Sequence, residues 1–156
     1  MQHFIIDGYN VIHAVPALKK TLLHDAESAR ELLIHSVGQL THTKKFRCSI
    51  IFDGTAPDHS LKQPAHAPVH VVYSFPFTAD GKIKQMIEHS RNRSLLTIIT
   101  SDREILRFAK NYSCQTHTST YFHNLLSEAN DTVTEKSDVA LSKSQIDEWL
   151  KIFGEK

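Results

Sequence analysis

The chain of 156 residues contains only two cysteines, Cys48 and Cys114, and no C-x-x-C pair. A disulfide framework is therefore excluded, and Cys48, set in an apolar run, reads as a small buried hydrophobe of a reducing, cytoplasmic compartment. Charge of one sign is also lacking. Eighteen Lys+Arg stand against seventeen Asp+Glu, a formal charge of +1, which excludes a protein that coats nucleic acid by bulk charge. A nucleic-acid substrate would need a local basic surface instead. No apolar stretch approaches the roughly 18 residues of a membrane span, and the N-terminus lacks the charged and apolar regions of a signal peptide. The expectation is a soluble intracellular protein with no membrane contact. There is no Gly-rich phosphate loop after the first strand, against a Rossmann or P-loop protein. Ser101 sits in no G-x-S-x-G elbow, against a serine hydrolase. Internal repeats, low-complexity tracts and linkers are absent, so residues 1–156 are expected to form one domain.

What is present is ordinary globular material, 40% hydrophobic and 22% charged, with strands and helices in alternation. Phe4-Ile5-Ile6 is a short apolar run ending in Asp7-Gly8. From Asp25, a plausible N-cap, to about Leu40, the spacing of Ala26, Ala29, Leu32, Leu33, Val37 and Leu40 predicts a helix with one buried face. Cys48 to Phe52 is a second apolar run, ending in Asp53-Gly54, and Val69 to Tyr73 is a third. A helix is predicted from Thr78 through Ile83, Met86 and Ile87 to about Arg91. Leu95 to Thr100 is the most continuous apolar run and the candidate central strand. Ser101-x-x-Glu104 has the form of a capping box and opens a helix with Ile105, Leu106, Phe108 and Ala109 on one side. A short strand at Cys114–Thr118, a helix at Tyr121–Leu126 and a last helix at Ser142–Phe153, burying Trp149, complete the order. Residues 127 to 141 read as a polar surface excursion. Such alternation implies a mostly parallel sheet with helices on both faces.

Four acids fall on one side of this scaffold. Asp7 and Asp53 follow strands directly, Asp102 lies just past the fourth strand, and Asp80 stands in the first turn of the helix after the third. All four belong to the carboxyl edge, where open α/β sheets bind ligands. Each acid alone has a structural explanation, as a turn residue or a helix-start carboxylate; their coincidence on one edge is what points to chemistry. Converging carboxylates repel one another unless a cation is present, and Mg²⁺ or Mn²⁺ suits hard oxygen ligands. A metal held there can activate water and neutralise phosphate charge in phosphodiester hydrolysis.

The segments Ile5-Ile6-Asp7-Gly8-Tyr9-Asn10-Val11-Ile12, Ile51-Phe52-Asp53-Gly54, Thr78-Ala79-Asp80 and Ile99-Thr100-Ser101-Asp102-Arg103-Glu104 resemble, in order and spacing, the YacP-like branch of the NYN domain family, related to PIN-domain nucleases. The resemblance runs from residue 2 to about 126 and extends to the tryptophan-bearing C-terminal helix. It implies a PIN-like three-layer α/β/α sandwich and metal-dependent endoribonuclease activity on single-stranded RNA. It gives Asp7, Asp53, Asp80 and Asp102 metal-site roles. Asn10 would orient an acid or the phosphate, and Ser101 would support the loop holding Asp102. RNA is the implied partner, with the ribosome as a larger assembly on which cleavage could depend. The branch commonly carries two adjacent acids where this chain reads Asp80-Gly81, so one acid is missing. A non-catalytic or weakly active RNA-binding domain is the alternative.

Lys82 and Arg103 are the basic residues near this edge expected to contact RNA; Lys84 and Arg107 read as solvated surface. The long Pro-containing loop from Thr55 to Pro68, with His59, Lys62 and His66, leaves the proposed site and is as readily a connector as a substrate contact. Tyr9 could stack on a base but reads first as a packed tyrosine. The eleven histidines are dispersed, and Pro68 spoils a helical pair of His66 and His70. A phosphatase of the haloacid dehalogenase type would need a second aspartate where Tyr9 stands.

Overall fold

A computed structural model describes residues 1–43, 46–57 and 68–134. Its elements in order are β1 (His3–Asp7), α1 (Gly8–Ala14), α2 (Pro16–His24), α3 (Ala26–Thr43), β2 (Arg47–Phe52), β3 (Val69–Tyr73), α4 (Ala79–His89), β4 (Leu96–Ile99), α5 (Arg103–Asn111), β5 (Gln115–His117) and α6 (Ser119–Thr134), with a 3₁₀ turn at Arg93–Leu95 before β4. The expected last helix with Trp149, and His59, Lys62 and His66 of the long loop, lie outside the described residues. Among the described residues no helix is long and apolar enough to cross a membrane.

The five strands form one sheet in the order β3-β2-β1-β4-β5. Every pairing is parallel. Ile6 is opposite Ile50 on one side and Ile99 on the other, so β1 is central, and its buried middle, Phe4–Ile6, is apolar on both faces. Period-two alternation divides the interior. Phe4, Ile6, Cys48, Ile50, Phe52 and Ile99 pack with Val11 and Ile12 of α1, Ala29, Leu33 and Val37 of α3, and Phe122 of α6. Ile5, Ile51 and Ile98 face the other way, onto Ile83 and Ile87 of α4 and Ile105 and Ala109 of α5. The result is the three-layer sandwich expected, with its sheet parallel throughout.

Several elements differ from the sequence reading. No helix was expected between Asp7 and Asp25, yet α1 and α2 fill that interval. The first residue of α1 is glycine, where an added Cβ would run into the Phe52 ring and lie 3.0 Å from the Ile51 carbonyl oxygen. Pro16 opens the second helix at a position where its missing N–H costs nothing. The spacing places Leu32 on the buried face of α3, yet it is 47% exposed. The inner stripe is Ala29, Leu33, Val37 and Leu40, so Leu32 lies off the stripe. The Tyr121–Leu126 helix is longer, and residues 127–134, expected in a surface excursion, belong to α6.

Candidate metal centre

The order β3-β2-β1-β4-β5 reverses direction between β1 and β4, and such a switch point opens a crevice beyond the strand carboxyl ends. Asp7 ends β1 at this crevice, and the β4–α5 loop supplies Thr100, Ser101 and Asp102 from its other side. One hydroxyl joins the two sides: Thr100 Oγ1 donates to Asp7 Oδ2 (3.0 Å) and accepts from the Asp102 backbone N–H (3.1 Å). Thr100 is fully buried, so this bridge is shielded from water.

The helix after this loop is capped by Asp102, not by Ser101 as the capping-box spacing suggested. Asp102 Oδ1 accepts from the N–H groups of Glu104 (2.9 Å) and Ile105 (3.1 Å). Ser101 is used differently: its Oγ accepts from the Ser119 N–H (3.1 Å). Asn10 completes the tether, because its Oδ1 accepts from the Ser101 N–H (2.9 Å) and the Ser119 hydroxyl (2.6 Å). Asn10 and Ser101 therefore fix the loop that carries Asp102 onto α1 and the start of α6. Ser119 is buried and was not singled out from the sequence; a serine after Thr118 carries no signal until the fold brings it beside Asn10.

Asp80 reaches the same place from α4. Thr78 caps that helix, its Oγ1 accepting from the Gly81 N–H (3.1 Å). Carboxylate oxygens of Asp80, Asp102 and Glu104 lie within 4.8 Å of one another, each residue offering one ligand atom. In the sequence Glu104 has the place of a capping-box residue; its signal as a ligand is a carboxylate two positions after Asp102. Lys84 closes the group, with Nζ 3.4 Å from Asp80 Oδ2 and 3.1 Å from Glu104 Oε2. The other oxygen, Asp80 Oδ1, is buried and has no hydrogen-bond donor. A buried, unpaired carboxylate oxygen is costly, and a cation would satisfy it.

Asp7 stands beside this group electrostatically. Burial raises its pKa above the usual carboxylate range, and the negative charges of Asp102 and Asp80 raise it further, opposed by hydrogen bonds from Thr100 and the Asn10 backbone. Asp53 lies outside the group of three. Its Oδ1 accepts from the Ala79 N–H (2.9 Å) and the Ser74 hydroxyl (3.3 Å), which holds the start of α4. The adjacent Gly54 has φ +107°, a conformation open to glycine at little cost. Lys82 is half-buried, with Nζ 3.4 Å from Gln85 Oε1, and Arg103 is exposed as the first residue of α5. Tyr9 is packed: its hydroxyl accepts from Arg30 (2.9 Å) and its ring meets Phe52 edge-on.

A parallel α/β/α sandwich with carboxylates gathered at its switch point is the arrangement of a PIN-like domain. The model of the YacP-like NYN domain matches residues 4–151, and the chain belongs to that family. The YacP protein of Bacillus subtilis strain 168, described as uncharacterized, is 28% identical over 104 residues, covering 65% of this chain and 61% of that protein. The crystal structure of Rae1 (YacP) from Bacillus subtilis superposes with a TM-score of 0.66 at 21% identity, covering 97% of this chain and 94% of that one. A mutant of the same protein gives 0.64 at 22% identity, covering 99% and 93%.

Proposed function

We propose that the protein is a divalent-metal-dependent endoribonuclease that hydrolyses phosphodiester bonds in single-stranded RNA in the cytoplasm. The observation that carries this reading is the convergence of Asp80, Asp102 and Glu104 within 4.8 Å, with Asp7 close enough to feel two of them. The donor set is all carboxylate oxygen, which suits Mg²⁺ or Mn²⁺, and Asp80 Oδ1 has room in its hydrogen bonding for such an ion. Asp80, Asp102 and Glu104 would hold the metal, with Asp7 beside them; Asp53 would act by anchoring α4. The chemistry that the bound ion supplies is charge neutralisation on the phosphate and a lowered pKa for water. Thr100 fixes Asp7 relative to Asp102, while Asn10, Ser101 and Ser119 keep the Asp102 loop in place. Lys82 and Arg103 supply positive charge beside the acids for the RNA backbone. The free, buried Cys48 and Cys114 agree with a reducing compartment.

A second reading, RNA binding with little or no cleavage, is favoured by one observation. Lys84 already neutralises two of the three carboxylates, and Gly81 offers no further acid. Cleavage of unstructured RNA in Mn²⁺, compared between the wild type and Asp102→Asn, separates the two. Asparagine keeps the oxygen that caps α5 but removes the charge. The expected result is loss of cleavage by about a hundredfold or more, on the scale of a catalytic electrostatic group, with an unchanged circular dichroism spectrum. Wild-type protein that binds RNA but cuts none in Mg²⁺ or Mn²⁺ would establish the binding-only reading. Equal cutting of naked and ribosome-bound RNA would remove the ribosome as a required partner.

A further inference from the structure

Among the described residues, five large apolar side chains are exposed: Met1, Leu23, Leu32, Phe75 and Phe77. The two aromatic ones fall together in the loop between β3 and α4, at 69% and 53% exposure. Every other described phenylalanine and tyrosine is at least partly buried. An exposed phenylalanine forgoes much of the gain of burying its ring, so two in one short loop are a feature to be accounted for.

The loop is held to the acidic edge of the sheet. The Phe75 N–H donates to the Gly54 carbonyl (2.9 Å), next to Asp53, and the Phe77 N–H donates to the Ser74 carbonyl (2.6 Å). Ser74 is buried, and its hydroxyl donates to Asp53 and accepts from the Gly54 N–H. On the other side, Phe77 Cβ lies 4.0 Å from where a Gly81 Cβ would stand. The root of Phe77 thus lies beside the first turn of α4, the turn that carries Asp80. The backbone is anchored while the rings face solvent, which is the arrangement of a preorganised contact surface.

We propose that Phe75 and Phe77 form a stacking platform for unpaired bases of single-stranded RNA, beside the carboxylates. The inference rests on RNA being the substrate. The rings' position supports this occupant over a protein partner: the surface continues into the Asp80 turn, and half-buried Lys82 on the same helix adds positive charge for a phosphate. Phenyl rings carry no hydrogen-bonding group, so the platform would hold any base and prefer strands free of pairing.

The test uses a single-stranded RNA oligonucleotide carrying 2-aminopurine, titrated with the full chain in EDTA so that nothing is cut. Wild-type protein should quench the probe on binding. Phe75→Ala and Phe77→Ala should each weaken binding by about tenfold and reduce the quenching, as loss of one stacking partner does, while Phe→Tyr at either position restores both. Manganese affinity measured by calorimetry should not change, since a phenyl ring offers no metal ligand. RNA that binds and quenches equally in the double alanine variant would overturn the platform and leave the nuclease reading standing. RNA that fails to bind wild-type protein in EDTA would overturn the platform, while cleavage of the same RNA in Mn²⁺ judges the nuclease reading separately. Alanine variants that alter sedimentation of the free protein instead of RNA affinity would assign the rings to contact between copies and overturn the platform.

Discussion

Asp80 and Glu104 share one ammonium, that of Lys84, which also lies 5.5 Å from the Phe108 ring centre. Hydrogen bonding to Glu104 and the charge of Asp80 raise the Lys84 pKa, so the lysine stays charged where a divalent ion would bind. Two cations compete for the same oxygens. Lys84→Met keeps the stem over Phe108 and removes the charge, so manganese should bind more tightly, by roughly two- to tenfold, the worth of a partly exposed ion pair. Titration calorimetry reads this directly; weaker binding would mean instead that Lys84 positions the two acids. At this scale the sequence was informative about Asp7, Asp80 and Asp102, because strand ends and helix starts locate them. Ser119 and the Thr100–Asp7 bond were not legible, since they join residues 18 and 93 positions apart; the i,i+4 spacing of Lys84 from Asp80 on α4 is a local signal, and only its contact with Glu104 is long-range.

Elements were legible where their burial has a clean period. The stripe Ala29, Leu33, Val37 and Leu40 and the runs of β1, β2 and β4 are such cases. The first two helices were missed because Gly8 directly after a strand carries the signature of a turn, and because Val11 and Ile12 are β-branched. Their helical state is decided by packing, as α1 buries both residues against the sheet. Gly8→Ala should therefore destabilise the protein by about 1–3 kcal/mol through overpacking against Phe52, seen as a lower urea midpoint. The same change at Gly38, where an added Cβ meets nothing within 4 Å, should instead stabilise α3 by about 0.5–1 kcal/mol. Equal effects at both sites would remove steric closeness as the reason for glycine at position 8.

For the molecule as a whole, acid sensitivity has a defined source far from the acidic edge. His3 enters β1 with Nε2 2.8 Å from Ser49 Oγ. Burial, then the charges of Arg47 and His70, lower its pKa from 6.5 to about 4. The unfolded chain takes up a proton near pH 6.5 while the folded one resists until about 4, so this contribution is present above pH 6.5 and is lost as pH falls through that window. Wild-type stability to urea should drop between pH 7 and pH 4.5, and His3→Gln should lose less over the same range, the difference being on the order of 2 kcal/mol. Parallel slopes for the two proteins would assign the acid sensitivity elsewhere.

The sequence by itself determined the alternation of strands and helices, the parallel sheet and the side of it on which the acids fall. Those properties follow from local periodicity and from the directionality of parallel strands. Tertiary structure alone decided which acids converge. The reversal of strand order between β1 and β4 and the docking of α4 against α5 bring Asp80, Asp102, Glu104 and Lys84 together. Asp53 is occupied at the start of α4, and two phenylalanines stand beside the acids in solvent. Spacing along the chain cannot encode these choices, because they depend on how helices from different crossovers meet at one edge.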